Sequence, residues 1–152
     1  MKKQGKYGEK QDLALDLIVK LARAFSTVGK LNQEEIKTFG LTEPQFGVLE
    51  CLGHLGPMTL GDISKKQLVS GGNITCVVDN LEREGLVERR RSTEDRRTVV
   101  AQLTAKGQKM FNEIFPKHAC FVGEIASVLS VEEQKTLCEL LKKLGVSLQD
   151  RN

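Results

Sequence analysis

Residues 71–103 constrain this chain more than any other stretch. Ile74, Val77, Val78 and Leu81 fall at i, i+3, i+4 and i+7, one face of an α-helix, and Gly85 followed by Leu86 supplies the left-handed stop with its trailing apolar contact. The next residues, Leu86-Val87-Glu88-Arg89 and Thr98-Val99-Val100-Ala101-Gln102-Leu103, are rich in β-branched side chains and flank a polar stretch from 90 to 97. They predict two antiparallel strands joined by a charged turn. A helix and a hairpin of this kind each have an apolar face to bury, so neighbouring elements must cover them.

On the N-terminal side, Leu13, Leu17, Ile18, Leu21, Ala22, Phe25 and Val28 recur at three- and four-residue steps and predict a long helix over about 12–37. Thr42-Glu43-Pro44-Gln45 has the form of a capping box, with proline where first-turn amides lack partners, and opens a second helix that Gly56-Pro57 stops. Thr59-Leu60-Gly61-Asp62 repeats the pattern and opens a short helix to about residue 67, followed by a loop containing Ser70, Gly71 and Gly72. On the C-terminal side Thr104 caps a long helix to about Val128, with a bend expected at Pro116, and residues 130–133 cap a last helix ending at Gly145. The fold class is mostly α (α+β): four helices, a β-hairpin, then two helices.

With 152 residues, 39% of them hydrophobic, the chain has the size of a single domain spanning 1–152. Apolar runs such as Leu17-Ile18-Val19 are far too short to span a bilayer, and Met1-Lys2-Lys3-Gln4-Gly5-Lys6 has no apolar stretch behind it. No membrane association and a cytoplasmic location are therefore expected. Cysteines at 51, 76, 120 and 138 lack the density of a disulfide scaffold and read as reduced thiols. Two histidines, one tyrosine and no tryptophan, with no nucleophile–base pair or glycine-rich phosphate loop, leave little material for catalysis. A binding protein without cofactors is expected, not an enzyme.

Three consecutive short helices, the third amphipathic, followed by a hairpin with a basic tip, spell a winged helix-turn-helix. Its physics suits DNA: a helix fits the major groove, and a β-loop bearing arginines reaches the narrower groove beside it. With Ile74 at the centre of the buried face, an advance of about 100° per residue places Gly72, Cys76, Asp79 and Arg83 opposite the core and Asn73, Thr75 and Asn80 on the flanks. The free amides of the first turn, beside Ser70, Gly71 and Gly72, form a seat for a backbone phosphate. Arg89, Arg90, Arg91, Arg96 and Arg97 stand against only Glu94 and Asp95, a local balance of +3 that equals the formal charge of the whole chain. Alone, such a run is an ordinary solvated turn; directly behind a helix-turn-helix it reads as a DNA contact. The candidate DNA-binding residues are Ser70, Gly72, Asn73, Thr75, Cys76, Arg90, Arg96 and Arg97.

Asn80-Leu81-Glu82-Arg83-Glu84-Gly85-Leu86-Val87-Glu88-Arg89, then Glu94-Asp95-Arg96-Arg97, then Leu103-Thr104-Ala105-Lys106-Gly107 resemble, in order and spacing, the wing signature of the bacterial and archaeal MarR-type transcription regulators. The helical layout agrees over roughly 12–144. The resemblance implies a triangular homodimer in which helices about 12–37 and 104–145 interlock as the dimerisation region, while the winged parts, about 42–103, bind a pseudo-palindrome. It also implies that Asp95 orients the wing through an arginine contact and that Arg97 enters the minor groove. The residues support a dimer independently. The first helix and the stripe Leu129, Leu137, Leu140, Leu141, Leu144 present more apolar surface than a small winged domain covers alone.

The function expected is that of a sequence-specific, double-stranded DNA-binding transcriptional regulator, a repressor before an activator, acting as a homodimer on a pseudo-palindromic operator and modulated by a small ligand or an oxidant. The alternative is a winged helix used only for protein assembly, against which the basic wing counts. Some regulators of the resembling family sense oxidants through a cysteine near the start of the first helix, and this chain has none before Cys51. Cys51 and Cys138 lie among apolar residues and read as inert core thiols, whereas Cys76, on the outward helix face, is a candidate redox residue. Cys51, His54, His118 and Cys120 are zinc-ligand types, yet His118 and Cys120, two apart on one helix, point to nearly opposite sides, so no metal is expected. The resemblance implies an effector pocket between the winged part and the dimer region; no arrangement of residues identifies its ligand.

Overall fold

The computed structural model describes residues 7–67 and 71–149. Its elements run α1 (Glu9–Thr38), α2 (Glu43–Leu55), α3 (Leu60–Gln67), α4 (Gly71–Arg83), β1 (Val87–Arg91), β2 (Val99–Leu103), α5 (Ala105–Ala126) and α6 (Val131–Gln149). The mostly helical class with one small sheet is the one expected. The chain divides into two compact units, the first ending at Asn112 and the second starting at Glu113, with α5 running through the boundary.

In the first unit, local chemistry sets the helix ends. The Thr42 hydroxyl accepts from the Gln45 amide at 3.4 Å while the Gln45 side chain accepts from the Thr42 amide at 2.9 Å, a complete capping box with Pro44 in the first turn. Helix α2 stops at Gly56, whose φ of 79° a side-chain-bearing residue would adopt only under strain. The Asp62 amide donates to the Thr59 hydroxyl at 3.1 Å, starting α3. After α4 the chain turns at Gly85, with φ 72°, and the Leu86 amide reaches back to the Leu81 carbonyl at 2.9 Å. That is the expected glycine stop, with Leu86 buried behind it.

Strands β1 and β2 pair antiparallel from Val87 opposite Leu103 to Arg91 opposite Val99. A third piece joins the sheet: Met58 bridges Ala101 through N–H···O bonds of 3.1 and 2.9 Å, one in each direction. No periodicity marks a single bridging residue, and the sequence gives no sign of it. The core of this unit gathers Leu49 and Val48 from α2, Ile63 from α3, Ile74, Val78 and Leu81 from α4, and Ala101 from β2, all essentially inaccessible to solvent. The buried stripe of α4 is the one its period requires.

Helix α1 behaves differently. Among its described residues only Ile36 is buried, and Leu13, Leu17, Ile18, Phe25 and Val28 lie exposed in the single chain.

In the second unit Ser130 and Glu133 form another capping box. The Glu133 carboxylate accepts from the Ser130 amide at 2.8 Å and the Glu133 amide donates to the Ser130 hydroxyl at 3.3 Å. Gln134 donates to the Ala126 and Leu129 carbonyls at 3.1 and 3.0 Å, holding the turn between α5 and α6. Gly145 does not end α6, which continues to Gln149. A helical glycine is less favourable than alanine by only about 1 kcal/mol, a cost that a helix of 19 residues absorbs. Cys138 is also a correction: it is exposed on α6, whereas Cys51 is buried as expected. No single helix among the described residues is long and apolar enough to cross a membrane.

Candidate nucleic-acid interface

Helix α4 presents Asn73, Thr75, Cys76 and Asp79 to solvent while Ile74, Val77, Val78 and Leu81 go inward. This is the division that the 100° step requires. Gly72 lies in the first turn of α4, and Ser70 lies outside the described residues. Farther along the helix, Asn80 accepts from the Arg83 guanidinium at 3.1 Å.

The wing loop, residues 92–98, is closed by its own polar side chains. The Ser92 amide donates to the Thr98 carbonyl at 2.8 Å, and the Thr98 amide donates to the Asp95 carbonyl at 2.9 Å. The Asp95 carboxylate takes the Arg97 backbone N–H at 2.9 Å on one oxygen and the Thr98 hydroxyl at 3.0 Å on the other. Asp95 therefore holds the loop through the main chain of Arg97. Such a side-chain turn is what aspartate does well. Among the described residues none of Arg90, Arg91, Arg96 and Arg97 makes an ion pair, and all are exposed. Arg90 also lines a cleft of about 440 Å³ between residues 57–62 and the wing, shared with Asp62, Glu94 and Asp95.

Arg89 is the exception among the wing arginines. Its guanidinium pairs with Glu82 through Nη1 and with Asp79 through Nη2 at 2.7 Å, and its backbone N–H donates to Glu82 at 2.8 Å. Partial burial opposes the charge, but the bonds and charges of Asp79 and Glu82 outweigh it and hold the guanidinium above its ordinary pKa. Arg89 thus leaves the exposed basic set and joins the base of the wing to α4. Composition could not separate it from its neighbours; its two carboxylate partners, three apart on a helix, were the only available signal.

A second junction explains the last sequence block. The Thr104 amide donates to the Leu86 carbonyl at 3.1 Å, its hydroxyl donates to the Gly85 carbonyl at 2.6 Å and accepts from the Gly107 amide at 3.0 Å. Lys106 Nζ donates to the Glu84 carbonyl at 2.7 Å, satisfying the C-terminal end of α4. Gly107 packs so closely on Leu86 that a Cβ there would sit 1.9 Å from its carbonyl oxygen.

These features meet a family already known. The MarR family model matches residues 41–99, the helix-turn-helix and most of the wing. Over 134 residues the chain is 41% identical to the HTH-type transcriptional regulator MhqR of Bacillus subtilis (strain 168), covering 88% of this chain and 92% of that one. The crystal structure of a MarR family transcriptional regulator from Silicibacter pomeroyi DSS is similar at a TM-score of 0.80, with 25% identity over 97% of this chain and 99% of its own. Bordetella bronchiseptica BpsR, whose structure concerns regulation of its DNA binding by 6-hydroxynicotinic acid, is similar at a TM-score of 0.75, with 25% identity over 86% of this chain and 98% of its own. A winged helix-turn-helix with these relatives is a transcriptional regulator and not an enzyme, and the chain belongs to the MarR family.

Proposed function

We propose that the protein is a homodimeric repressor that binds a pseudo-palindromic operator in double-stranded DNA, with α4 in the major groove and the wing over the minor groove. The observation that carries this reading is the wing tip, where the Arg96 and Arg97 side chains are exposed and make no ion pair among the described residues, on a loop that Asp95 closes. Cations in a fixed loop lose little further order on meeting phosphate, and a narrow A·T-rich groove concentrates the negative potential that an inserted guanidinium exploits. Asn73, Thr75 and Cys76, exposed on α4, are proposed to face base edges, Arg90 to contact the backbone, and Ser70 and Gly72 to seat a phosphate at the helix start.

The homodimer is supported by the apolar side chains that a single chain leaves in water. Phe25 of α1 is 79% exposed, Leu140 of α6 is 58% exposed, and each has neighbours of the same kind on its helix. A second copy covers both faces and supplies the two-fold symmetry that a palindrome mirrors. A small-molecule effector is supported by the BpsR relative. Cys76 remains the candidate for modulation by an oxidant, because its exposed thiol lies on the face proposed to meet DNA.

The test is selection of duplexes from a random-sequence pool by purified protein, followed by binding of wild-type and Arg97→Ala chains to the recovered duplex. Recovery of a two-fold sequence bound more weakly by Arg97→Ala supports the reading. Recovery of no DNA, or equal binding by the variant, would return the fold to the protein-assembly alternative.

A further inference from the structure

The contact between Arg89 and α4 joins two parts of the proposed interface, adding an ionic link to the turn at Gly85 and Leu86. One oxygen of Glu82 takes the Arg89 backbone N–H and the other faces Nη1, while Asp79 takes Nη2. A guanidinium has a rigid fork of donors, and two of its ends are held here by carboxylates one turn apart on the same helix. The side chain of Arg89 is 24% exposed, that of Glu82 33% and that of Asp79 51%, so the cluster opens toward solvent on the outward side of α4. Asp79 and Glu82 would otherwise turn two negative charges toward a phosphate backbone. Arg89 offsets one charge and, by the same bonds, fixes where the first wing strand leaves the helix.

We infer that Arg89 is a positioning residue for DNA binding, coupling the groove helix to the wing while screening Asp79 and Glu82 from phosphate. The inference rests on the proposed DNA contact and adds to it a division of labour among the wing arginines. Arg96 and Arg97 touch DNA, whereas Arg89 sets the distance and angle at which they arrive. Two separable effects follow. Loss of the fork loosens the wing, and loss of the positive charge exposes the carboxylates.

The experiment uses the full-length protein and the duplex recovered by selection from a random-sequence pool. Arg89→Gln is expected to weaken binding roughly 10- to 100-fold, the scale of a lost charge-assisted hydrogen bond. Hydroxyl-radical protection of the minor groove by the wing should fade, while methylation protection of major-groove guanines under α4 persists. Arg89→Lys keeps the charge without the fork and should recover affinity in part, with wing protection still weak. Adding Asp79→Asn to Arg89→Gln should also recover affinity without restoring wing protection. Unchanged affinity and protection in Arg89→Gln, or loss of both protections in equal proportion, overturns the inference. If Arg89→Gln does not fold, the decision passes to Asp79→Asn alone, which keeps the Glu82 link: weakened wing protection supports the coupling, and wild-type protection overturns it. Arg97→Ala separates this outcome from failure of the underlying reading. Impaired binding by Arg97→Ala beside normal binding by Arg89→Gln removes only the inference, whereas normal binding by Arg97→Ala removes DNA contact by the wing itself.

Discussion

Arg97 and Arg89 are the same residue type eight positions apart, and their surroundings assign them different work. Among the described residues Arg97 is held through its backbone, by Asp95, and its side chain is exposed. Arg97→Ala should lower affinity for specific and non-specific DNA alike, and salt titration should show the log–log slope falling by about one unit per wing. Asp95→Ala should give a milder form of the same loss, because it frees the loop without deleting the cation. Asn73→Ala or Thr75→Ala should blur sequence preference with less effect on the slope. Cys76 supports a separate expectation: a bulky or negatively charged adduct on its thiol should weaken DNA binding, and Cys76→Ser should resist the loss. Equal sensitivity of the serine variant to thiol reagents would remove Cys76 as a switch. The exposed wing arginines and the outward face of α4 were legible in the sequence, because each depends on charge or period within one segment. The Arg89 clamp was not, since it joins residues that become neighbours only when β1 returns past α4.

At the scale of elements, the ends that local chemistry decides were read closely and those decided elsewhere were not. The Thr42–Gln45 box and the glycine stop at Gly85 are complete within a few residues, so sequence suffices. The Met58 bridge to Ala101 and the passage of α6 through Gly145 depend on neighbours in space or on the whole helix. The junction of α4, β1 and α5 makes a direct expectation. Gly107→Ala places a methyl against the Leu86 carbonyl and should destabilise the fold by roughly 1–3 kcal/mol, measured as a lower midpoint in denaturant unfolding. A midpoint equal to wild type would mean that this close approach relaxes freely.

The cap of α6 carries a pH expectation. The Ser130 backbone N–H, then its hydroxyl, hold the Glu133 carboxyl below its ordinary pKa. A folded-state pKa below the unfolded one gives stability that is present above the unfolded value and lost as pH falls through the folded value. Carbon-13 NMR titration should place the Glu133 midpoint below that of an ordinary glutamate, and Ser130→Ala should raise it. An unshifted midpoint would mean that the cap does not persist in solution.

For the whole molecule, the exposed stripes of α1 and α6 are the feature that a single chain does not account for. The proposed dimer gives both stripes cover from a second copy, and its isolated chain is expected to be poorly folded. Sedimentation should show one dimeric species at micromolar concentration, and a stable folded monomer there would remove the basis for a two-fold operator. The arrangement claimed, a groove helix and a basic wing repeated by two-fold symmetry, is tested most directly by a hydroxyl-radical footprint of the protein on its selected duplex. Two protected half-sites centred about 10 bp apart on one face of the duplex, each flanked by minor-groove protection that Arg97→Ala removes, are the expected result. A single unrepeated site, irregular spacing, or flanking protection that survives Arg97→Ala would contradict it.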